Sequence, residues 1–267
     1  MTRNFLFSFF IFFTVSAIAQ NNYELNEGWI CAQASSVKFN GTQLSDLSTK
    51  LSSWQPAVVP GTVLTTLVAN KKMPDPFYGM NNKKIPDIYT IGKDFYTYWF
   101  VKNFKETAPQ NNEQVWLHFR GINYSCDVFL NGKKLNEKTH KGMFLSQTYN
   151  ITSLLRKDGK NRLAVIVYPP DVVGNPNGGQ GGDGTIARNV SHQYVAGWDW
   201  IQPIRDRNTG IWDKVIIEHT HEIKINDVHV VTEVPGVRMP EGKQDPAVIK
   251  VSAALQNATG NAVTGVL

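Results

Sequence analysis

The chain has 267 residues and a formal net charge of +5, with no Lys/Arg run longer than two. A modest basic balance spread in this way implies solubility and argues against a nucleic-acid partner. Its two cysteines, Cys31 and Cys126, form no CxxC pair and lack the neighbours of a lipid-anchor signal.

Residues 1–19 read as a secretory leader: Arg3, an apolar core from Phe5 to Val15, then Ala17-Ile18-Ala19 as an A-x-A cleavage site. Cleavage before Gln20 is expected, with export to the periplasm or the extracellular space. Losing Arg3, the leader's single charge, takes the net charge from +5 to +4. No membrane span is expected, because the apolar run is short and no stop-transfer pattern follows. Export makes a Cys31–Cys126 disulfide chemically accessible, and two buried free thiols fit the sequence equally well.

The body reads as β. One short helix is expected over Thr62 to Asn70, after Pro60-Gly61. Val115 to Phe119 alternates, with Val115, Leu117 and Phe119 on one face. Asn123 to Leu130 is strand-like, and Asn131-Gly132 between such flanks is a strong hairpin signal. Trp116, Phe119, Phe129 and Leu130 are expected in the core. Asn161 to Tyr168 is a further strand, ended by Pro169-Pro170. Many short strands, one helix and polar turns predict an antiparallel sandwich over residues 20–221.

Pro169 to Gln193 lacks periodicity and holds six glycines. Gly179 to Gly184 matches G-x-G-x-x-G formally, but no helix pattern follows, so a dinucleotide site is rejected. Gly178 to Asp183 matches one calcium-binding nonapeptide start; that motif works as a stacked array, and this is a single copy. A flexible rim loop is the favoured reading. His219, His221 and His229 lack a carboxylate or thiol to complete a ligand set, so no metal is expected, and no cofactor.

The densest run of chemistry is GWDWIQPIRDRNTGIWDKVII, Gly197 to Ile217. Trp198 and Trp200 flank Asp199. Arg205-Asp206-Arg207 follows, then an Asn208-Thr209-Gly210 turn into a strand expected over Ile211 to Ile217. Rings beside a carboxylate suit a sugar, whose C–H face packs on an aromatic and whose hydroxyls donate to an acid. The same residues equally suit a sandwich rim, with Asp199 capping a turn.

This run resembles a signature of the first domain of glycoside hydrolase family 2, in the branch of exo-β-D-glucosaminidases and mannosylglycoprotein endo-β-mannosidases. VPGTVLTTLV (Val59–Val68), PDPFYGMN (Pro74–Asn81), YWF (Tyr98–Phe100) and FRGINYSCDVFLNGKKL (Phe119–Leu135) stand in that family's order, and the resemblance covers Tyr23 to Val231. It implies an all-β fold: a galactose-binding-like jelly-roll sandwich, then an immunoglobulin-like sandwich, then a catalytic (β/α)₈ barrel. It also implies a β-linked oligosaccharide or glycoconjugate as partner, with Asp199 at the substrate pocket and Trp198 or Trp200 beside it. Asp75 and Asn81 form the other loop expected on that wall, and Arg205 is expected to hold Asp199 or Asp206 by a charge-assisted pair.

Residues 222–267 supply strands over Asp227 to Val231 and Ile249 to Leu255. They fall well short of the roughly 100 residues of an immunoglobulin-like sandwich. The expectation is therefore a second domain cut off mid-fold, with the barrel of the same polypeptide beyond Leu267. A glycosidase needs two carboxyl groups across the scissile bond. The Asn-Glu pairs Asn26-Glu27, Asn112-Glu113 and Asn136-Glu137 lie in turns or strand ends of the β region, so no catalytic residue is assigned in this chain. An accessory region of an exported glycosidase is expected, and a free-standing carbohydrate-binding module is the competing class.

Overall fold

The computed structural model describes residues 22–109, 112–175, 182–194, 204–236, 242 and 245–264. The first strands are β1 (Asn22–Glu24), β2 (Trp29–Gln33), β3 (Gln55–Pro56), β4 (Tyr98–Lys105), β5 (Gln114–Phe119) and β6 (Ser125–Leu130). There follow β7 (Lys133–Lys134), β8 (His140–Lys141), β9 (Gln147–Asn150), β10 (Lys160–Tyr168), β11 (Val215–Thr220), β12 (Ile223–Glu233) and β13 (Val248–Asn257). A smaller sheet runs β1-β11-β5-β9 and a larger one β3-β2-β4-β10-β6-β7, with β8 also on β6; β12 and β13 pair separately as a ribbon. Every one of these pairings is antiparallel.

The expected alternation is present. Val115, Leu117 and Phe119 of β5 are fully buried and face Cys126, Val128, Leu130, Leu163, Val165 and Val167 of the opposing sheet. The larger sheet is buried on both faces. Leu44, at the end of α1 (Gly41–Leu44), packs with Trp99, Val101, Ala164 and Ile166 on its outer side. Phe129 belongs to that outer face, half-buried against Trp99 with ring centroids 5.9 Å apart. Its expected place in the central core is thus corrected, and the reason is the strand's period of two: Val128 and Leu130 point inward, so Phe129 points out.

The hairpin forms where expected. Asn131 has φ +49° and Gly132 φ +87°, the pair of positive values that a two-residue turn matching strand twist requires. The expected helix is α2 (Val63–Ala69), whose first turn is capped by the Thr62 hydroxyl accepting from Thr65 N–H at 3.1 Å. The strand expected from Ile211 begins only at Val215. Gly210 and Asn123 exchange two backbone hydrogen bonds of 2.9 Å as an isolated bridge ahead of β11, and Asp213 N–H to Gly121 O and Arg120 N–H to Lys214 O link the same two segments before the regular ladder starts.

Cys31 and Cys126 are both free and buried. Gln55 lies against one sulfur and Gln147 against the other. Burial pushes the Cys31 thiol up to about 11 and the Cys126 thiol up to about 12. The folded chain should therefore react slowly with a thiol reagent at pH 8, and denaturation should release both thiols. Fewer than two thiols on unfolding would show that the pair is oxidised.

A rim assembled around a buried arginine

At the end of the sandwich where β6 and β11 begin, residues 204–210 form a turn bonded to the start of α2, to Asn123 ahead of β6, to Asp87 and to Gly174. Asp206 is fully buried. Its carboxylate accepts from Leu64 N–H at 2.8 Å and from Asn208 N–H at 2.9 Å, so it ties the turn to the first residues of α2. Burial pushes its pKa up, and those N–H donors with Thr62 work against the rise. Val63 N–H donates to Thr209 O at 2.7 Å, and the Asn123 side-chain amide donates to Arg207 O and Asn208 O.

Arg205 and Arg207 converge on one carboxylate, Asp87, the N-cap of α3 (Ile88–Ile91). Arg205 reaches it at 2.7 Å and Arg207 at 3.1 Å. Arg207, whose side chain is 1% exposed, also donates to Ile204 O and Gly174 O, both at 2.9 Å. Burial pushes the Asp87 carboxyl up. The attraction and hydrogen bonds of Arg207 and Arg205, with Tyr89 N–H, outweigh it and hold the group below the usual carboxylate range. The pairing of Arg205 with Asp206 expected from sequence is corrected: Asp206 is committed to α2, and Arg205 to Asp87. Trp198, Asp199 and Trp200 lie outside the described residues.

Asp75 and Asn81 sit on the loop that Arg205 anchors. Arg205 Nε donates to Asn82 O at 3.1 Å. Asn81 Oδ1 accepts from Lys84 at 3.1 Å, and Asp75 Oδ1 accepts from Phe77 N–H at 2.9 Å, an Asx-type turn. Between this loop and α2 lies an open groove of about 290 Å³, with Thr62, Thr65 and Val68 on one side, Asp75 and Phe77 on the other, and Ile204 at the end. The loop projects Phe77, Tyr78 and Met80, which are 86%, 77% and 62% exposed.

The glycine-rich loop is tied at its base, while residues 176–181, where the flexible stretch is expected, lie outside the described residues. Asn175 and Thr185 form an antiparallel bridge, Gly174 N–H donates to Gln193, and Tyr89 OH donates to Asp183 at 2.6 Å. These bonds place its stem beside Arg207. Of the residues that build the rim, sequence reasoning missed Asp87. The available signal was Pro86-Asp87 ahead of Ile88, an N-cap pattern, together with two closely spaced arginines in need of a carboxylate. No group of three or more metal-ligating side chains occurs among the described residues, and His219 lies 3.2 Å from Glu106.

The family model for the glycosyl hydrolase 2 galactose-binding domain-like family matches residues 32–213. The chain is 51% identical over 213 residues to a mannosylglycoprotein endo-beta-mannosidase of Lilium longiflorum, covering 78% of this chain and 22% of that protein. It is 28% identical over 255 residues to an exo-beta-D-glucosaminidase of Streptomyces avermitilis, covering 94% of this chain and 25% of that protein. The chain thus spans about a quarter of the length of these curated relatives or less. Among solved structures, an exo-chitosanase of Amycolatopsis orientalis superposes with a TM-score of 0.68 at 22% identity, over 90% of this chain and 25% of that one. A beta-D-mannosidase of Dictyoglomus thermophilum superposes with a TM-score of 0.59 at 21% identity, over 88% of this chain and 31% of that one. A sandwich with this topology, closed at one end by the Asp87–Arg207 rim and matched over most of its length by the family model, belongs to the glycosyl hydrolase 2 galactose-binding domain-like family.

Proposed function

We propose that this chain is the N-terminal accessory region of an exported β-glycosidase acting on β-mannosides or β-glucosaminides. In this reading residues 1–19 are the secretory leader, the jelly roll runs to 221, and residues from 222 begin an immunoglobulin-like sandwich. A catalytic barrel in the same polypeptide supplies the reacting carboxylates. The jelly roll forms one wall of the substrate pocket and braces the barrel.

The observation that carries this is the loop from Asp75 to Asn81. Exposed aromatic and apolar side chains in one short segment mark an interaction surface. Here they stand on a loop held by a buried ion cluster, so the surface is prebuilt. Apolar residues of the ribbon, among them Val230 and Val251, are likewise exposed and opposite one another, which suits the uncovered face of an incomplete sandwich. Asp199 between its two tryptophans is proposed to accept hydrogen bonds from the non-reducing terminal sugar.

The test uses the complete reading frame beside the 267-residue chain, assayed on p-nitrophenyl β-D-mannoside and β-D-glucosaminide. The longer protein should turn over one of them and the shorter neither; turnover by the shorter chain would overturn the accessory reading. In the longer protein, Asp199→Asn should lower kcat/KM by at least about 10-fold, about 1.4 kcal/mol, with little change in Tm. A variant that melts several degrees lower but turns over normally would make Asp199 structural.

A further inference from the structure

The outer face of the smaller sheet carries a buried ionic cluster that the rim does not use. His118 of β5 contacts Glu218 of β11 through Nε2 at 2.5 Å. Its Nδ1 lies 2.8 Å from the Thr148 hydroxyl of β9. Lys224, the second residue of β12, donates to the same Glu218 oxygen and is only 4% exposed. Its ammonium also stands 5.3 Å from the centre of the Trp116 ring, whose Nε1 donates to Thr220 at 2.8 Å. A lysine ordinarily keeps its charge in water, and burial is tolerated only with a paired carboxylate.

The position of Lys224 gives the cluster a consequence. Beyond it, the pattern of β12 and all of β13 is almost uniformly exposed. The ribbon therefore meets the first sandwich mainly through its first two residues, and Lys224 is the charged one. We propose that His118, Glu218 and Lys224 form a clamp that fixes the ribbon on the sandwich, and that protonation of His118 loosens it.

The charged groups facing the His118 ring are Glu218 from β11 and Lys224 from β12; Thr148 faces it from β9 and Trp116 lies on its own strand. With the ring neutral, Nε2–H donates to Glu218 and Nδ1 accepts from the Thr148 hydroxyl, so each polar atom has a partner. A proton on Nδ1 converts that acceptor to a donor and places a second cation beside Lys224. Burial chiefly, with the Lys224 charge, lowers the His118 pKa, against the pull of Glu218. A histidine with a lowered folded pKa gives stability that is complete above its ordinary value of about 6.5 and declines as the pH falls below it.

The experiment is amide hydrogen exchange on the 267-residue chain at pH 7.5 and pH 5, expressed as protection factors. Protection of residues 223–226 should fall by at least about 10-fold at pH 5, while β10 keeps its own. His118→Gln, which still donates to Glu218 but does not titrate, should abolish that fall. Lys224→Met should lower protection of 223–226 at both pH values. Equal loss in β10 would mean general acid unfolding and overturn the clamp. An unchanged pH response in His118→Gln, or unchanged protection in Lys224→Met, would also overturn it.

Discussion

Asp87→Ala should lower the unfolding free energy by about 3–5 kcal/mol, the cost of leaving one partner of a buried ion pair uncompensated. Arg207 would keep Ile204 O and Gly174 O but lose its carboxylate, in a site where its side chain is 1% exposed. Arg205 would lose its shortest bond, and α3 its N-cap. Asp87→Asn keeps an acceptor oxygen without the charge and should fall between the two. The pH dependence follows from the lowered carboxyl pKa. Its stabilisation is fully present above the unfolded value of about 3.9 and is lost as the pH falls through the folded value. The acid arm of the stability profile below about pH 4 should therefore be shallower in Asp87→Ala. Urea unfolding at pH 7 and pH 3 measures both effects. A loss under about 1 kcal/mol at pH 7 would show that Arg207 finds other partners or water.

The second large effect distinguishes two phenylalanines that sequence alone places together. Phe119 is fully buried at the centre of the sandwich, so Phe119→Ala should cost about 3–5 kcal/mol through lost burial and the cavity left behind. Phe129 lies half-buried on the outer face under α1, in contact with Trp99. Its truncation should cost roughly 1–2 kcal/mol, since part of the ring already meets water. Thermal or denaturant unfolding of the two variants tests the ranking. The reverse order would mean that the face assignment of β6 is inverted, because a one-residue slip exchanges the two faces of a strand.

Features legible in the sequence share a short range. Asn131-Gly132 sets its own turn through the dihedrals those residues tolerate. Thr62 caps the helix that begins one residue later, and Val115 to Phe119 declares its inner face within five positions. The family motifs are of the same kind, being contiguous strings. The rim loop from Pro74 to Asn81 is likewise one contiguous string.

What the tertiary structure decided is which distant groups meet. Arg205 is 118 residues from Asp87, and Asp206 is 142 from Leu64. Within the RDR triplet any charge could answer any other, and local spacing favours a contact between neighbours. The fold instead buries Asp206, where Leu64 N–H of α2 and Asn208 N–H of its own turn reach it, and turns both arginines toward α3. Phe129 shows the same limit. Alternation tells that two faces differ but not which is the central core when α1 covers the second. Charge partners and face identity are settled by closing loops of a hundred residues, an entropic step that rewards only the whole arrangement and leaves no mark in a window of ten.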